Sequence, residues 1–115
     1  MSALTIFHNP KCSKSRETLA LLEHRGLAPR IVEYLTTPPS AAELARIVKQ
    51  LGIAPEALVR KGEDVYKAKY AGRTLSDAEW IAAMVADPVL IERPIVVANG
   101  KAAIGRPPER VLELL

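Results

Sequence analysis

Apolar positions in the first third of the chain switch between two periods. Leu4-Thr5-Ile6-Phe7 is a short run of strand-forming residues that ends before the Asn9-Pro10 turn signal, and it predicts a core strand. From Lys14 the period lengthens. Leu19 and Leu22 lie three apart, Arg25 closes the segment and Gly26 supplies a stop, which are the marks of a helix. Ile31-Val32-Glu33-Tyr34-Leu35 returns to strand composition. A strand, a helix and a strand within about thirty-five residues predict a right-handed crossover between parallel strands.

Thr36-Thr37-Pro38-Pro39 breaks this pattern. In Ser40-Ala41-Ala42-Glu43, serine and glutamate stand at the cap and third positions, where each can satisfy the other's backbone donor. Leu44, Ile47, Val48 and Leu51 follow at helical spacing up to Gly52. Pro55 opens a short helix through Val59, and Ser76-Asp77-Ala78-Glu79 repeats the capping pattern ahead of Trp80, Ile81, Met84 and Val85. Residues 40 to 87 therefore read as a helical block. Ile95-Val96-Val97-Ala98, Asn99-Gly100 and Lys101-Ala102-Ala103-Ile104 then form a hairpin signal, because Asn-Gly accepts the positive φ angles of a type I′ turn. Gly105-Arg106-Pro107-Pro108 leads into a last helix with Val111, Leu112 and Leu115 on one side.

The order is βαβ, helical block, ββα. This α/β arrangement is that of the thioredoxin-like folds, here with a four-stranded mixed sheet and a helical insertion at about 40–87. It would place Cys12 at the end of the first strand and the amino end of the first helix. At 115 residues, 49% of them hydrophobic, the chain is expected to form one domain, 1–115, around one core. No stretch approaches the ~20 apolar residues of a membrane span. Met1 to Phe7 lacks the basic start and cleavage site of a secretion signal, so the expected compartment is the cytoplasm. The net charge of +3 is spread without a dense basic run and aromatics are only 4%, which argues against a nucleic-acid partner and leaves room for a small anionic ligand.

The chemistry gathers at the single cysteine. A free thiol ionises at about pH 8.5, so a nucleophile needs its thiolate stabilised. The first turn of the following helix offers unpaired N–H groups, Ser15 is expected to offer its hydroxyl to sulfur, and His8 to serve as proton carrier or positive charge. A lone cysteine is more often a small core residue. Its place between Lys11 and Lys14 in a polar turn favours the nucleophile. Cys12-Ser13-Lys14-Ser15 is a Cys-x-x-Cys spacing with serine second, so a redox cycle requires an external thiol such as glutathione or a small dithiol protein. A Cys-x5-Arg phosphatase loop is excluded because Thr18 stands at the arginine position. One cysteine and two separated histidines are not a metal-ligand set, and His24 and Arg16 read as solvated. Arg60, Arg93 and Arg106 each offer planar donors suited to a tetrahedral oxyanion, although any one of them alone reads as surface.

His8-Asn9-Pro10-x-Cys12-x-x-Ser15-Arg16, Tyr34-Leu35-x-Thr37-Pro38-Pro39, Arg60-Lys61, Leu90-Ile91-Glu92-Arg93-Pro94-Ile95-Val96-Val97 and Arg106-Pro107 together resemble the glutaredoxin-coupled arsenate reductase family over essentially the whole chain. The resemblance implies that Cys12 attacks arsenate, that glutathione joins the adduct as co-substrate, and that glutaredoxin helps complete reduction to arsenite. It implies no tightly bound cofactor. It assigns Arg60, Arg93 and Arg106 to the oxyanion, and His8 and Ser15 to the thiolate. Two other classes stand beside it: a regulator of the same superfamily that contacts RNA polymerase, and a glutathione-dependent thiol-transfer protein. Ser15 removes the Cys-x-x-Cys switch common in the first, and the arginine set is not needed by the second.

Overall fold

The computed structural model describes residues 4–115; Met1 to Ala3, part of the segment read above for a secretion signal, lie outside the described residues. The chain forms β1 (Thr5–His8), α1 (Ser13–His24), β2 (Arg30–Glu33), α2 (Ala41–Leu51), α3 (Asp64–Lys69), α4 (Asp77–Ala86), β3 (Ile95–Ala98) and β4 (Lys101–Ile104). Short 3₁₀ turns occupy Pro55–Leu58, Pro88–Leu90 and Pro108–Leu114. The sheet order is β2-β1-β3-β4. β1 and β2 are parallel across α1, while β1–β3 and β3–β4 are antiparallel, so the sheet is mixed and thioredoxin-like. Contacts divide the chain into two compact units. One holds the described residues up to Thr37 together with Arg93–Leu115; the other is Pro38–Glu92.

In the first unit, Ile6 and Val96 stand opposite each other on one face of the sheet and are fully buried with Leu22 of α1 and Val111 of the C-terminal turn. Burying side chains of this size contributes roughly 1.5–3 kcal/mol each before conformational entropy is subtracted. β2 ends at Glu33, two residues short of the expected strand. The N–H groups of Thr36 and Thr37 and the Thr36 hydroxyl all turn back onto the Glu33 carbonyl, which closes a turn where Tyr34 and Leu35 were expected in the sheet. Asn99 (φ 56°) and Gly100 (φ 74°) both take positive φ, which makes the hairpin turn read in the sequence.

The C-terminal segment is 3₁₀ rather than α-helix, and this moves its apolar face. Three residues per turn stack i over i+3. Val111 and Leu114 are therefore the buried pair, while Leu115 is 49% exposed. The expected Val111, Leu112 and Leu115 face belongs to an α-helical period that the chain does not adopt.

In the second unit, α2 starts at Ser40, whose hydroxyl accepts the Glu43 N–H at 3.1 Å, and ends at Gly52 in the left-handed region. Only this half of the expected capping box is formed there. At Ser76 both halves close, with Glu79 Oε1 accepting the Ser76 N–H at 2.9 Å. Leu44, Ile47 and Val48 of α2 and Trp80, Ala83 and Met84 of α4 are buried where these helices pack together. Among the described residues no helix is long and apolar enough to cross a membrane.

Candidate active site

The loop that delivers Cys12 is tied at every residue. Asn9 Oδ1 accepts the Lys11 N–H at 3.0 Å, and the Asn9 carbonyl accepts the Cys12 N–H at 3.0 Å. This is an asparagine side chain standing in for a backbone turn. Arg16 Nη1 donates to the Pro10 carbonyl at 2.9 Å, so this residue, expected to be merely solvated, clamps the loop onto α1. Cys12 then takes the N-cap position of α1 with extended backbone, and its carbonyl accepts the Arg16 N–H.

Cys12 is only 9% exposed. Burial alone pushes the thiol up; the Ser15 backbone N–H, a hydrogen bond and the charge from Arg93, and the Lys14 backbone N–H outweigh it and hold the thiol below its ordinary value. No cap hydrogen bond of ordinary geometry closes on the sulfur, so these N–H groups act at longer reach, as the positive end of a helix does. Arg106 stands 94 residues downstream, with Nη2 3.6 Å from the sulfur. Its Nε donates to the Arg93 carbonyl at 2.8 Å, which links the two arginines. Arg93-Pro94 and Arg106-Pro107 are both cis.

Ser15 meets Cys12 through its backbone, not its hydroxyl. The fully buried hydroxyl lies 2.6 Å from His8 Nδ1 and accepts the Asn9 N–H at 3.0 Å. Burial lowers the pKa of His8, Glu33 raises it and Arg16 lowers it, with a net depression. His8 is therefore a neutral imidazole at pH 7, suited to carrying a proton rather than to serving as a fixed positive charge. Glu33, its register partner on β2, is a neighbour that the linear sequence did not announce.

The structure thus brings His8, Cys12, Ser15, Arg93 and Arg106 together in the first unit. Arg60 lies in the second, where Nη1 donates to Glu92 Oε1 at 2.8 Å and Nε to Glu63 Oε2 at 3.4 Å. Sequence reasoning missed both carboxylates, and it read Asn9 as a turn signal without foreseeing the side-chain bond to the Lys11 N–H that makes the turn. Among the described residues, no three His, Cys, Asp or Glu side chains are grouped to hold a metal ion.

A thiol of lowered pKa beside two guanidinium groups is equipped to attack an anionic centre whose oxygens the arginines hold. Comparison with known proteins places the chain in one family. The model of the ArsC family matches residues 7–114. The arsenate reductase of Neisseria meningitidis is 47% identical over 117 residues, covering 100% of both chains. An uncharacterized Escherichia coli protein, YfgD, is 55% identical over 112 residues, covering 96% of this chain and 94% of its own. Among solved structures, an arsenate reductase from Vibrio cholerae superposes with a TM-score of 0.95 at 56% identity, over 98% of each chain.

Proposed function

The chain belongs to the ArsC family, and on that ground we propose that it reduces arsenate to arsenite, with glutathione and glutaredoxin as the external thiols. One observation supports the reading most: the only cysteine of the chain carries a lowered pKa and has Arg106 within reach of its sulfur, with Arg93 acting on it as well. Arg93 and Arg106 hold arsenate oxygens by paired N–H donors; Arg60, which the resemblance assigns to the anion, has its guanidinium on Glu92 and Glu63.

The Cys12 thiolate attacks arsenic, an S–As bond forms, and one oxygen leaves as water after taking up protons; arsenic remains pentavalent at this stage. We assign the movement of those protons to His8, which is neutral and hydrogen-bonded to Ser15. The thiol of glutathione displaces a second oxygen as water and gives a Cys12–S–As–S–glutathione adduct. A glutaredoxin thiolate then attacks the glutathione sulfur. The new disulfide carries away the oxidation, the electron pair of the broken As–S bond stays on arsenic, and water releases arsenite from Cys12. The cysteine count supports the use of an external thiol, since no second thiol of the chain can resolve Cys12.

The deciding experiment is arsenate reduction with glutathione and glutaredoxin, run beside Cys12→Ser. Turnover that depends on both thiols and disappears in a folded Cys12→Ser protein is expected. Substantial turnover by Cys12→Ser, or none by the parent chain, would sink the assignment.

A further inference from the structure

Three chain segments carry the groups around the sulfur: α1 with Cys12 at its head, the segment with Arg93 before Pro94, and the end of β4 that continues into Arg106. These segments converge on one residue outside the catalytic set. Gly105 is buried, and its N–H donates to the Pro94 carbonyl at 2.9 Å. A Cβ built on it would lie 2.5 Å from Thr18 Oγ1, 2.8 Å from Pro94 Cγ and 3.2 Å from Thr18 Cγ2. Thr18 is fully buried, with its hydroxyl donating to the Lys14 carbonyl one turn back at 2.8 Å. It therefore cannot swing aside without leaving that bond.

The geometry points to Gly105 as a positioning residue for the thiol: the absence of its side chain lets α1, the Arg93-Pro94 segment and Arg106 close to the separation at which Arg93 and Arg106 reach Cys12. Relief toward Thr18 displaces the helix that presents Cys12. Relief toward Pro94 displaces Arg93 and the carbonyl that holds Arg106 Nε. Relief at residue 105 itself displaces Arg106. Each of the three concessions lengthens at least one arginine-to-sulfur contact, because the packed interior passes such shifts on instead of absorbing them. Thr18 stands at the position where a phosphatase loop carries its arginine; here that position fills the space left by the missing Cβ.

This inference rests on the proposed function for its importance, but its readout does not. The rate of Cys12 alkylation against pH, in the full-length chain without arsenate, reports the acidity of the thiol. In Gly105→Ala the alkylation midpoint is expected to move up by about one pH unit, which is about tenfold less thiolate at neutral pH. Gly105→Ala/Thr18→Ala, which removes two of the three clashing atoms, is expected to recover most of that loss. A folded Gly105→Ala with the parent's alkylation profile overturns the proposal. If the single variant does not fold, the double variant decides. A folded double within half a unit of the parent supports the steric reading, and a double that is insoluble or has an ordinary thiol overturns it. Failure of arsenate turnover in the parent chain would sink the proposed function and leave this result standing.

Discussion

At the residue scale, the acidity of Cys12 is a contest between burial and positive charge, and Arg93 supplies the side-chain part of the winning side. Replacing Arg93 by alanine removes a donor and a charge together. The thiol pKa then rises, and alkylation at pH 7 slows by about tenfold for each unit. An unmoved midpoint would return Arg93 to an oxyanion role alone. Ser15 bears on the thiol differently, because its backbone N–H is retained in any substitution. Ser15→Ala leaves His8 Nδ1 and the Asn9 N–H without their buried hydroxyl partner, a loss of about 1–3 kcal/mol. The expected signature is a fall in unfolding free energy by denaturant titration with a modest change in the alkylation midpoint. If the midpoint moves as far as in Arg93→Ala, the hydroxyl acts on sulfur directly.

At the scale of elements, the two capping sites separate because their geometry differs. Ser76 and Glu79 close both hydrogen bonds, whereas Ser40 makes only one. Ser76→Ala and Ser40→Ala each remove the same hydroxyl half and should each cost about 0.5–2 kcal/mol. Glu79→Ala, which removes the acceptor of the Ser76 N–H, should cost about 0.5–1 kcal/mol more than Glu43→Ala by denaturant titration; equal losses for the two glutamates would show that the second half of the box contributes nothing. Both caps were legible in the sequence, since Ser-x-x-Glu ahead of an apolar run has a local cause. The same holds for the hairpin, where Asn99-Gly100 needs no tertiary context. Helix α3 was not legible: six residues with none buried leave no apolar period to read. The α-helix expected at the C-terminus and the last residues of the second strand failed for a related reason. Spacing at three or four residues does not separate 3₁₀ from α, and the strand yields to a turn centred on the Glu33 carbonyl.

At the scale of the whole molecule, the site was legible only where it is local. His8, Cys12 and Ser15 fall within one loop and one helical turn, but the tie between Cys12 and Arg106 spans 94 residues, and no spacing rule reaches that far. Resemblance supplied those arginines; Glu33, Glu63, Glu92 and Gly105 needed coordinates. Two of the titrating groups, one in each unit, predict how stability answers to pH. His8 has its pKa held below 6.5 chiefly by burial, so the unfolded chain takes up a proton before the folded one. Its contribution is complete above about pH 6.5 and declines as pH falls from there toward the folded pKa. Asp87 accepts from the Tyr70 hydroxyl at 2.7 Å and from Lys69 Nζ at 2.9 Å, and these bonds, Tyr70 first, hold its carboxyl below 3.8. Its contribution is present above 3.8 and is lost as pH falls through the lower folded value. Unfolding free energy measured by denaturant titration from pH 8 to pH 3 should therefore decline in two stages. His8→Gln should flatten the first, and Asp87→Asn the second, with the other stage unchanged in each case. A parent curve that stays level between pH 6.5 and pH 5 would mean that His8 takes up its proton without loss in the fold, and would remove the basis for reading it as a neutral carrier beside Ser15.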